Sequence, residues 1–228
     1  YSTIGGGKYN RIDSDNWYAC ILGGFSNTIA TDSSEAYIGG GLRNSISETN
    51  QYAIIVGGER NTIEPESDHT FLGGGNYNRV ARIAPYNVLV GGNQNSIGTN
   101  SDAAVLGGGS RNQIGNDAFY SSLLGGIDNT ISNSASYSII PGGQLNMVSG
   151  DHAFAAGYRA QALHDGCFVW ADKQSGSLST TATNQFLVRA SSGLILASNA
   201  GTNRNVDVGE YYRDNSVIAW AKISSAGN

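Results

Sequence analysis

The stretch ILGGFSNTIATDSSEAYIGGGLRNSI, residues 21–46, contains nearly the same phrase twice. Each copy has an apolar residue, a pair of glycines, two variable residues, an asparagine, one further residue and an isoleucine. The two asparagines, Asn27 and Asn44, are 17 residues apart. A fixed period indicates a repeat architecture, so the whole chain has to be searched for it before any single element is assigned.

The 17-residue spacing continues through nine consecutive copies without a slip. The asparagines are Asn10, Asn27, Asn44, Asn61, Asn78, Asn95, Asn112, Asn129 and Asn146. An isoleucine or valine follows each one two residues later, and two adjacent glycines precede it. Seventeen residues can hold two short strands and two turns, but not the strand, helix and loops of a leucine-rich repeat. We therefore expect an all-β fold, a parallel β-solenoid or β-roll in which each copy is one coil.

The nine asparagines are expected to form a stacked ladder of side-chain amides that binds turn backbone groups from coil to coil. A calcium-binding roll is the alternative function for a glycine-rich repeat. That motif needs carboxylates on a nine-residue period, whereas this chain has neutral asparagines on a period of 17. We therefore expect a structural ladder, no metal and no cofactor.

The first strand of each coil is apolar on both of its faces. In YAIIVGG, residues 52–58, Ala53 and Ile55 point to one side while Tyr52, Ile54 and Val56 point to the other, because side chains alternate along a strand. The opposite face reads Cys20, Tyr37, Ile54, Phe71, Val88, Val105 and Ile139 across the copies. A strand that is apolar on both sides is usually covered on both sides. We therefore expect sister chains to cover the second face, in an intertwined or side-by-side homotrimer.

Composition excludes several other classes of protein. The 228 residues include 32 glycines, and the net charge is −5. An acidic balance without a run of lysine or arginine predicts no nucleic-acid binding, since the phosphate backbone rewards clustered positive charge. No stretch approaches the roughly 20 apolar residues of a membrane-spanning helix, so no membrane insertion is expected. The sequence begins at Tyr1 inside a repeat, which suggests a piece of a longer chain.

The repeat divides the chain into three parts. Residues 1–150 hold the nine 17-residue coils, and residues 151–163 form a closing coil of a 14-residue type, in which Ala160 and Ala162 replace the asparagine and isoleucine. Beyond residue 163 the period is lost. We expect a small β-rich C-terminal domain over residues 164–228.

The closing coil, AFAAGYRAQA at residues 153–162, resembles the head repeats of trimeric autotransporter adhesins, the YadA-like heads. The segments HDGCFVWAD, residues 164–172, and TNQFLVRASSG, residues 183–193, resemble a region of phage tail fibres that leads toward an intramolecular chaperone. The resemblance implies a trimeric fibre on a virion or another extracellular surface. Its partners would be a host surface polysaccharide or protein receptor and, through flanking regions, other fibre or tail components.

The resemblance carries no catalytic residues, and we expect none. Candidate surface-binding residues are aromatic or arginine side chains, which can stack on sugars or offer a planar hydrogen-bonding fork. They are Tyr9, Phe25, Arg43, Arg60, Tyr77, Arg111, Tyr211 and Tyr212. The leading hypothesis is a receptor-binding segment of a homotrimeric tail fibre. The alternatives are a bacterial trimeric adhesin on a cell surface and a tailspike polysaccharide depolymerase, which would need paired carboxylates.

Overall fold

The computed structural model describes residues 1–192, 195–196 and 204–205. The expected parallel β-solenoid of 17-residue coils is confirmed, with about 11 turns and no helix among the described residues. The chain divides into two units, Tyr1–Val188 and Arg189–Asn228. The first unit contains the solenoid. In the second, β25 (Ile195–Leu196) and β26 (Arg204–Asn205) form an antiparallel pair.

Each coil contributes one strand to each of two long sheets. Sheet 1 contains β1 (Thr3–Ile4), β3 (Cys20–Ile21), β5 (Tyr37–Ile38), β7 (Ile54–Ile55), β9 (Phe71–Leu72), β11 (Val88–Leu89), β13 (Val105–Leu106), β15 (Ser122–Leu123), β17 (Ile139–Ile140), β18 (Gly143–Gln144), β20 (Phe154–Tyr158), β22 (Phe168–Ala171) and β24 (Phe186–Arg189).

Sheet 2 contains β2 (Arg11–Ile12), β4 (Thr28–Ile29), β6 (Ser45–Ile46), β8 (Thr62–Ile63), β10 (Arg79–Val80), β12 (Ser96–Ile97), β14 (Gln113–Ile114), β16 (Thr130–Ile131), β19 (Met147–Val148), β21 (Ala160–Ala162) and β23 (Leu178–Ser179).

Stacking is parallel and in register, because every coil has the same length. In sheet 1, Ile21 pairs with Ile38 and Ile38 with Ile55; in sheet 2, Ile29 pairs with Ile46. A third ladder of single parallel bridges runs beside the sheets, one residue per coil, as between Phe25 and Leu42. Each position of the phrase therefore forms its own row along the solenoid.

The strands are only two residues long in the regular coils, shorter than the sequence suggested. The reason is that three non-glycine residues per coil have left-handed φ, as Asp32, Glu35 and Arg43 do at 53°, 57° and 56°. A left-handed residue turns the chain and ends the extended segment before it. Nothing in the residue types at these corners, which include tyrosine, histidine and isoleucine elsewhere, marks them as left-handed.

The interior is narrow and continuous. Each coil places one isoleucine, leucine or valine from each sheet inside, as Ile38 and Ile46 do, and both are fully buried. Alanine fills the remaining width at Ala36 and Ala53. Stacked branched side chains give each coil close contacts with the coils above and below, so the hydrophobic stabilisation is spread evenly along the solenoid.

The nine asparagines form a ladder with their amides inside the turn between the two sheets. Asn78 is fully buried; its Nδ2 donates to the carbonyl oxygens of Gly74, at 2.8 Å, and Gly92, at 2.9 Å, and its Oδ1 accepts the N–H of Asn95 at 3.0 Å. The same pattern recurs from Asn27 to Asn146. Each amide thus binds backbone groups of its own coil and of the next, which satisfies polar groups that would otherwise be buried unpaired.

The second glycine of each pair makes this ladder possible. Gly41 has φ of +91°, and a Cβ there would collide with the carbonyl oxygen of Gly58 and lie 2.7 Å from Nδ2 of Asn44. A glycine is therefore needed both for the left-handed backbone and for the close approach of the amide. The first glycine of the pair in coil 2, Gly23, has neither constraint, since a Cβ there would meet nothing within 4 Å.

Both sheets continue past residue 163. β22 pairs with β20 in parallel from Phe168 to Ala171, β23 pairs with β21, and β24 lies beside β22. The asparagine ladder ends at Asn146, whose Oδ1 accepts the N–H of Ala160 at 2.9 Å. The change of repeat length at residue 151 thus ends the amide ladder without ending the solenoid. A separate domain over residues 164–228 stays a prediction, because most residues after 192 lie outside the described part.

A bilayer-spanning helix does not occur in the described part of the chain.

Replacing Gly41 by alanine is expected to lower the free energy of unfolding by at least about 2 kcal/mol, since the new Cβ needs left-handed backbone and displaces a carbonyl oxygen. Chemical denaturation measures the change. Gly23→Ala is the matched control in the neighbouring coil and should change stability by less than about 0.5 kcal/mol. Equal effects of the two substitutions would contradict the role assigned to Gly41.

Replacing Asn78 by alanine is expected to cost about 3 kcal/mol, because two buried carbonyl groups lose a donor and one buried N–H loses its acceptor. Urea titration followed by far-ultraviolet circular dichroism gives the value. Asn76→Ala, two residues earlier, is the control: Oδ1 of Asn76 is buried without a hydrogen-bond partner, so its loss should be close to neutral. A neutral Asn78→Ala would show that the ladder does not stabilise the fold.

Candidate functional site

The outward side of sheet 1 is a long apolar surface, here called the apolar face. It consists of the row Cys20, Tyr37, Ile54, Phe71, Val88, Val105 and Ile139 and the row Leu22, Val56, Val90 and Leu124. Leu22 is 55% exposed and Val90 is 53% exposed. Isolated exposed apolar residues are ordinary, but a contiguous apolar patch that follows the whole sheet is rare on a monomeric protein and marks an interaction surface. No described segment of the chain covers this face.

Sheet 2 presents a different surface. The residue between each asparagine and isoleucine points outward, and it is polar or charged at Arg11, Thr28, Ser45, Thr62 and Arg79. Arg79 is exposed and donates to both carboxylate oxygens of Glu64, at 2.6 and 2.8 Å. The two outward surfaces of the solenoid therefore differ, one being suited to water and the other to burial.

A row of stacked rings runs along the corner that precedes sheet 1 and is called the ring ladder. It consists of Tyr18, Tyr52, His69, Tyr86, Tyr120, Tyr137 and His152, with Glu35 and Ala103 at the two positions without a ring. The ring centroids of Tyr52 and His69 are 4.8 Å apart, and those of His69 and Tyr86 are 5.1 Å apart. The sequence revealed the recurrence of tyrosine here, but the stacking became visible only in the structure.

The candidate binding residues at the opposite corner lie in one line, because their spacings are multiples of 17. Tyr9, Arg43, Arg60, Tyr77 and Arg111 all occupy the left-handed position just before an asparagine. We call this line the corner row. It is a linear, solvent-exposed arrangement of aromatic and cationic groups rather than a pocket.

At the start of the corner row, Tyr9 is 68% exposed and packs edge to face on Phe25 with ring centroids 5.3 Å apart. The ammonium group of Lys8 lies 4.7 Å from the centre of the Tyr9 ring. Phe25 itself belongs to the neighbouring bridge ladder, one residue earlier in its coil. These three side chains form a small exposed cluster that can offer both a ring face and a positive charge.

The later members of the corner row are already paired. The Arg60 guanidinium lies 5.0 Å from the Tyr77 ring centre and contacts its hydroxyl group. Arg111 donates from Nε and Nη2 to the two carboxylate oxygens of Asp128, at 2.6 and 2.8 Å. These hydrogen bonds hold the pKa of Asp128 below its ordinary value. Arg111 is therefore less available to an external ligand than the exposed Arg43.

Tyr211 and Tyr212 lie outside the described residues.

The acidic stretch EPESDH does not bring paired carboxylates together. Glu64 is held by Arg79, Glu66 lies 3.6 Å from Arg82, and Asp68 accepts the N–H of Gln51 at 2.7 Å. Each acid thus has its own basic or backbone partner. In the described part of the chain no group of three or more histidine, cysteine, aspartate or glutamate residues is arranged to hold a metal.

Asp102 is an acid whose usual partner is missing. In other coils the side chain at this position accepts the N–H of the residue 17 positions earlier, as Asp68 does from Gln51 and Ser34 from Trp17. For Asp102 that residue is Pro85, which has no N–H to donate. Oδ1 of Asp102 is accordingly buried without a hydrogen-bond partner, and burial raises the pKa of this carboxyl.

Comparison with known proteins identifies no relative: no family model matches the chain, and no curated protein matches its sequence.

The raised pKa of Asp102 predicts a pH-dependent cost. The folded state holds the proton more tightly than the unfolded state does, so this group's contribution to stability falls as pH rises from the unfolded pKa, near 4, through the folded pKa. Asp102→Asn should therefore gain stability relative to the original chain as pH increases from 3 to 7, measured by urea titration at each pH.

Pro85→Ala gives a matched test, because it returns the missing N–H. The carboxyl of Asp102 should then titrate at a lower pH, as followed by carbon-detected nuclear magnetic resonance. A pH-independent difference between Asp102→Asn and the original chain, together with an unchanged titration in Pro85→Ala, would contradict this explanation.

Proposed function

We propose that the chain is a structural and receptor-contacting segment of a homotrimeric fibre, of the phage tail-fibre type. The observation that carries the proposal is the apolar face: it runs along sheet 1 from Leu22 to Leu124 and is not covered by the described chain itself. A surface of this kind is stable in water only when something buries it. Sister chains are the natural cover, since an identical solenoid has the same coil spacing and the same length.

Closed symmetry then favours a cyclic bundle in which the apolar faces meet around a common axis. This arrangement would leave sheet 2 and the corner row outside, where Tyr9, Phe25 and Arg43 can contact a host polysaccharide or protein. Exposed rings stack on sugar faces, and a guanidinium group bridges hydroxyl or carboxylate oxygens. The proposal places the fibre on a virion or another extracellular surface.

A bacterial trimeric adhesin is the alternative with the same architecture, and the apolar face supports it equally. The polysaccharide depolymerase is less well supported. It would need two carboxylates about 5 to 10 Å apart and free to act on one glycosidic bond. The acids of EPESDH are instead engaged one by one with arginine or backbone groups, which suits a surface that binds rather than cleaves.

Charges placed on the apolar face test the proposal. The original chain is expected to sediment at three times its chain mass at micromolar concentration. The double substitution Val56→Glu and Val90→Glu should dissociate the assembly, because it would bury uncompensated carboxylates between chains. Analytical ultracentrifugation and circular dichroism together distinguish dissociation from unfolding.

Thr62→Glu is the control, since Thr62 occupies the outward row of sheet 2 and should leave the mass unchanged. A stable monomer of the original chain, or an unchanged trimer in the Val56→Glu and Val90→Glu variant, would contradict the proposed assembly.

A further inference from the structure

The ring ladder is interrupted at one coil by a small residue. In the continuous part, His69 lies between Tyr52 and Tyr86 and stacks on both. At the next equivalent place, Ala103 stands between Tyr86 and Tyr120 and provides only a methyl group. The alternating pattern of rings therefore has an opening one coil high at Ala103.

The backbone passes through this opening without distortion. The N–H of Ala103 donates to Pro85 at 3.1 Å and that of Tyr120 donates to Asp102 at 3.0 Å, as that of Tyr86 does to Asp68 at 2.9 Å. The rings of Tyr86 and Tyr120 are consequently two strand spacings apart, about 9.6 Å. A planar group midway would lie about 4.8 Å from each ring centre, within the range of stacked aromatic pairs.

Each ring has one face turned to this opening without a stacking partner. Within the described residues, Tyr86 stacks only on His69 and Tyr120 only on Tyr137. Tyr86 is 61% exposed and Tyr120 is 58% exposed, so a ligand can reach both rings from solvent. Two parallel tyrosine faces present negative π density to whatever enters between them, which favours a cation.

The charge around the opening has the same preference. Positions seven to ten residues after each asparagine, from residue 17 to residue 139, contain Glu35, Asp68 and Asp102 but no lysine or arginine. Asp102 directly precedes Ala103, and its Oδ1 has no hydrogen-bond donor because residue 85 is proline. A ligand that is flat, positively charged and able to donate hydrogen bonds complements all of these features.

We propose that the opening at Ala103, between the rings of Tyr86 and Tyr120, binds the guanidinium group of an arginine side chain on a partner polypeptide. The guanidinium is planar, permanently charged and known to stack on aromatic faces while pairing with carboxylates. A lysine ammonium has the charge without the flat shape, and a neutral ring has the shape without the charge. This inference goes beyond the proposed function, because it assigns a second recognition site outside the corner row.

Titration with N-acetyl-arginine amide, followed by nuclear magnetic resonance of the labelled full chain, tests the site. Saturable shifts are expected at Tyr86, Ala103 and Tyr120. Binding by N-acetyl-lysine amide and N-acetyl-tyrosine amide should be several-fold weaker. Comparable binding of either probe would overturn the assignment to guanidinium.

Two substitutions of the same residue separate binding from folding. Ala103→Tyr fills the opening and should weaken binding of the arginine probe roughly tenfold, because both cation–π contacts are lost. Ala103→Gly leaves the opening free and suits the left-handed φ of 54°, so its affinity should stay within about twofold. Five other coils already carry tyrosine at this position, so the filled variant is expected to fold. Undiminished binding by Ala103→Tyr would overturn the proposal.

Asp102→Asn keeps the shape and removes the charge, and it should weaken the arginine probe several-fold. An unchanged affinity would overturn the part assigned to the carboxylate. Sedimentation of the same samples keeps the two proposals distinguishable. A trimer that does not bind the probe contradicts only the site, whereas a monomer that binds it contradicts only the assembly.

Discussion

One buried asparagine amide per coil is the interaction on which the rest of the fold depends. Each amide, such as that of Asn78, binds backbone groups of its own coil and of the next, so it fixes both the turn and the stacking distance. The amide can reach these groups only because a glycine without a side chain stands beside it, as Gly41 does beside Asn44. Any change in coil length would break the contact, which explains a spacing of 17 residues maintained over nine copies.

Because the interior is fixed in this way, the chain can vary its outward rows without disturbing the stack. The apolar face, the ring ladder and the corner row are three such rows, each with a different chemistry. Sheet 1 carries exposed aliphatic groups such as Leu22, while the corner row carries rings and guanidinium groups such as Tyr9 and Arg43. The functional proposals all concern these outward rows, since the interior has no group left free to act.

The sequence predicted the solenoid and its asparagines because identical spacing leaves few other architectures. It did not predict the two-residue strands, since left-handed corners at Glu35 and Arg43 have no signature in residue type. The line formed by Tyr9, Arg43 and Tyr77 follows from spacing alone, but the pairing of Arg111 with Asp128 depends on side-chain conformation. Assembly was inferred from the apolar face, and a single chain cannot display the partners that would cover it.

The alternation of Gly39 with Val56 beside the glycine pair means that the true building block is two coils, or 34 residues. In the coil with a third glycine, a Cβ at Gly39 would collide with the carbonyl oxygen of Val56, so the two kinds of coil are not interchangeable. Gene duplication or loss can therefore change the length of such a protein most easily in steps of 34 codons. Each step would add or remove about 10 Å while keeping every row in phase.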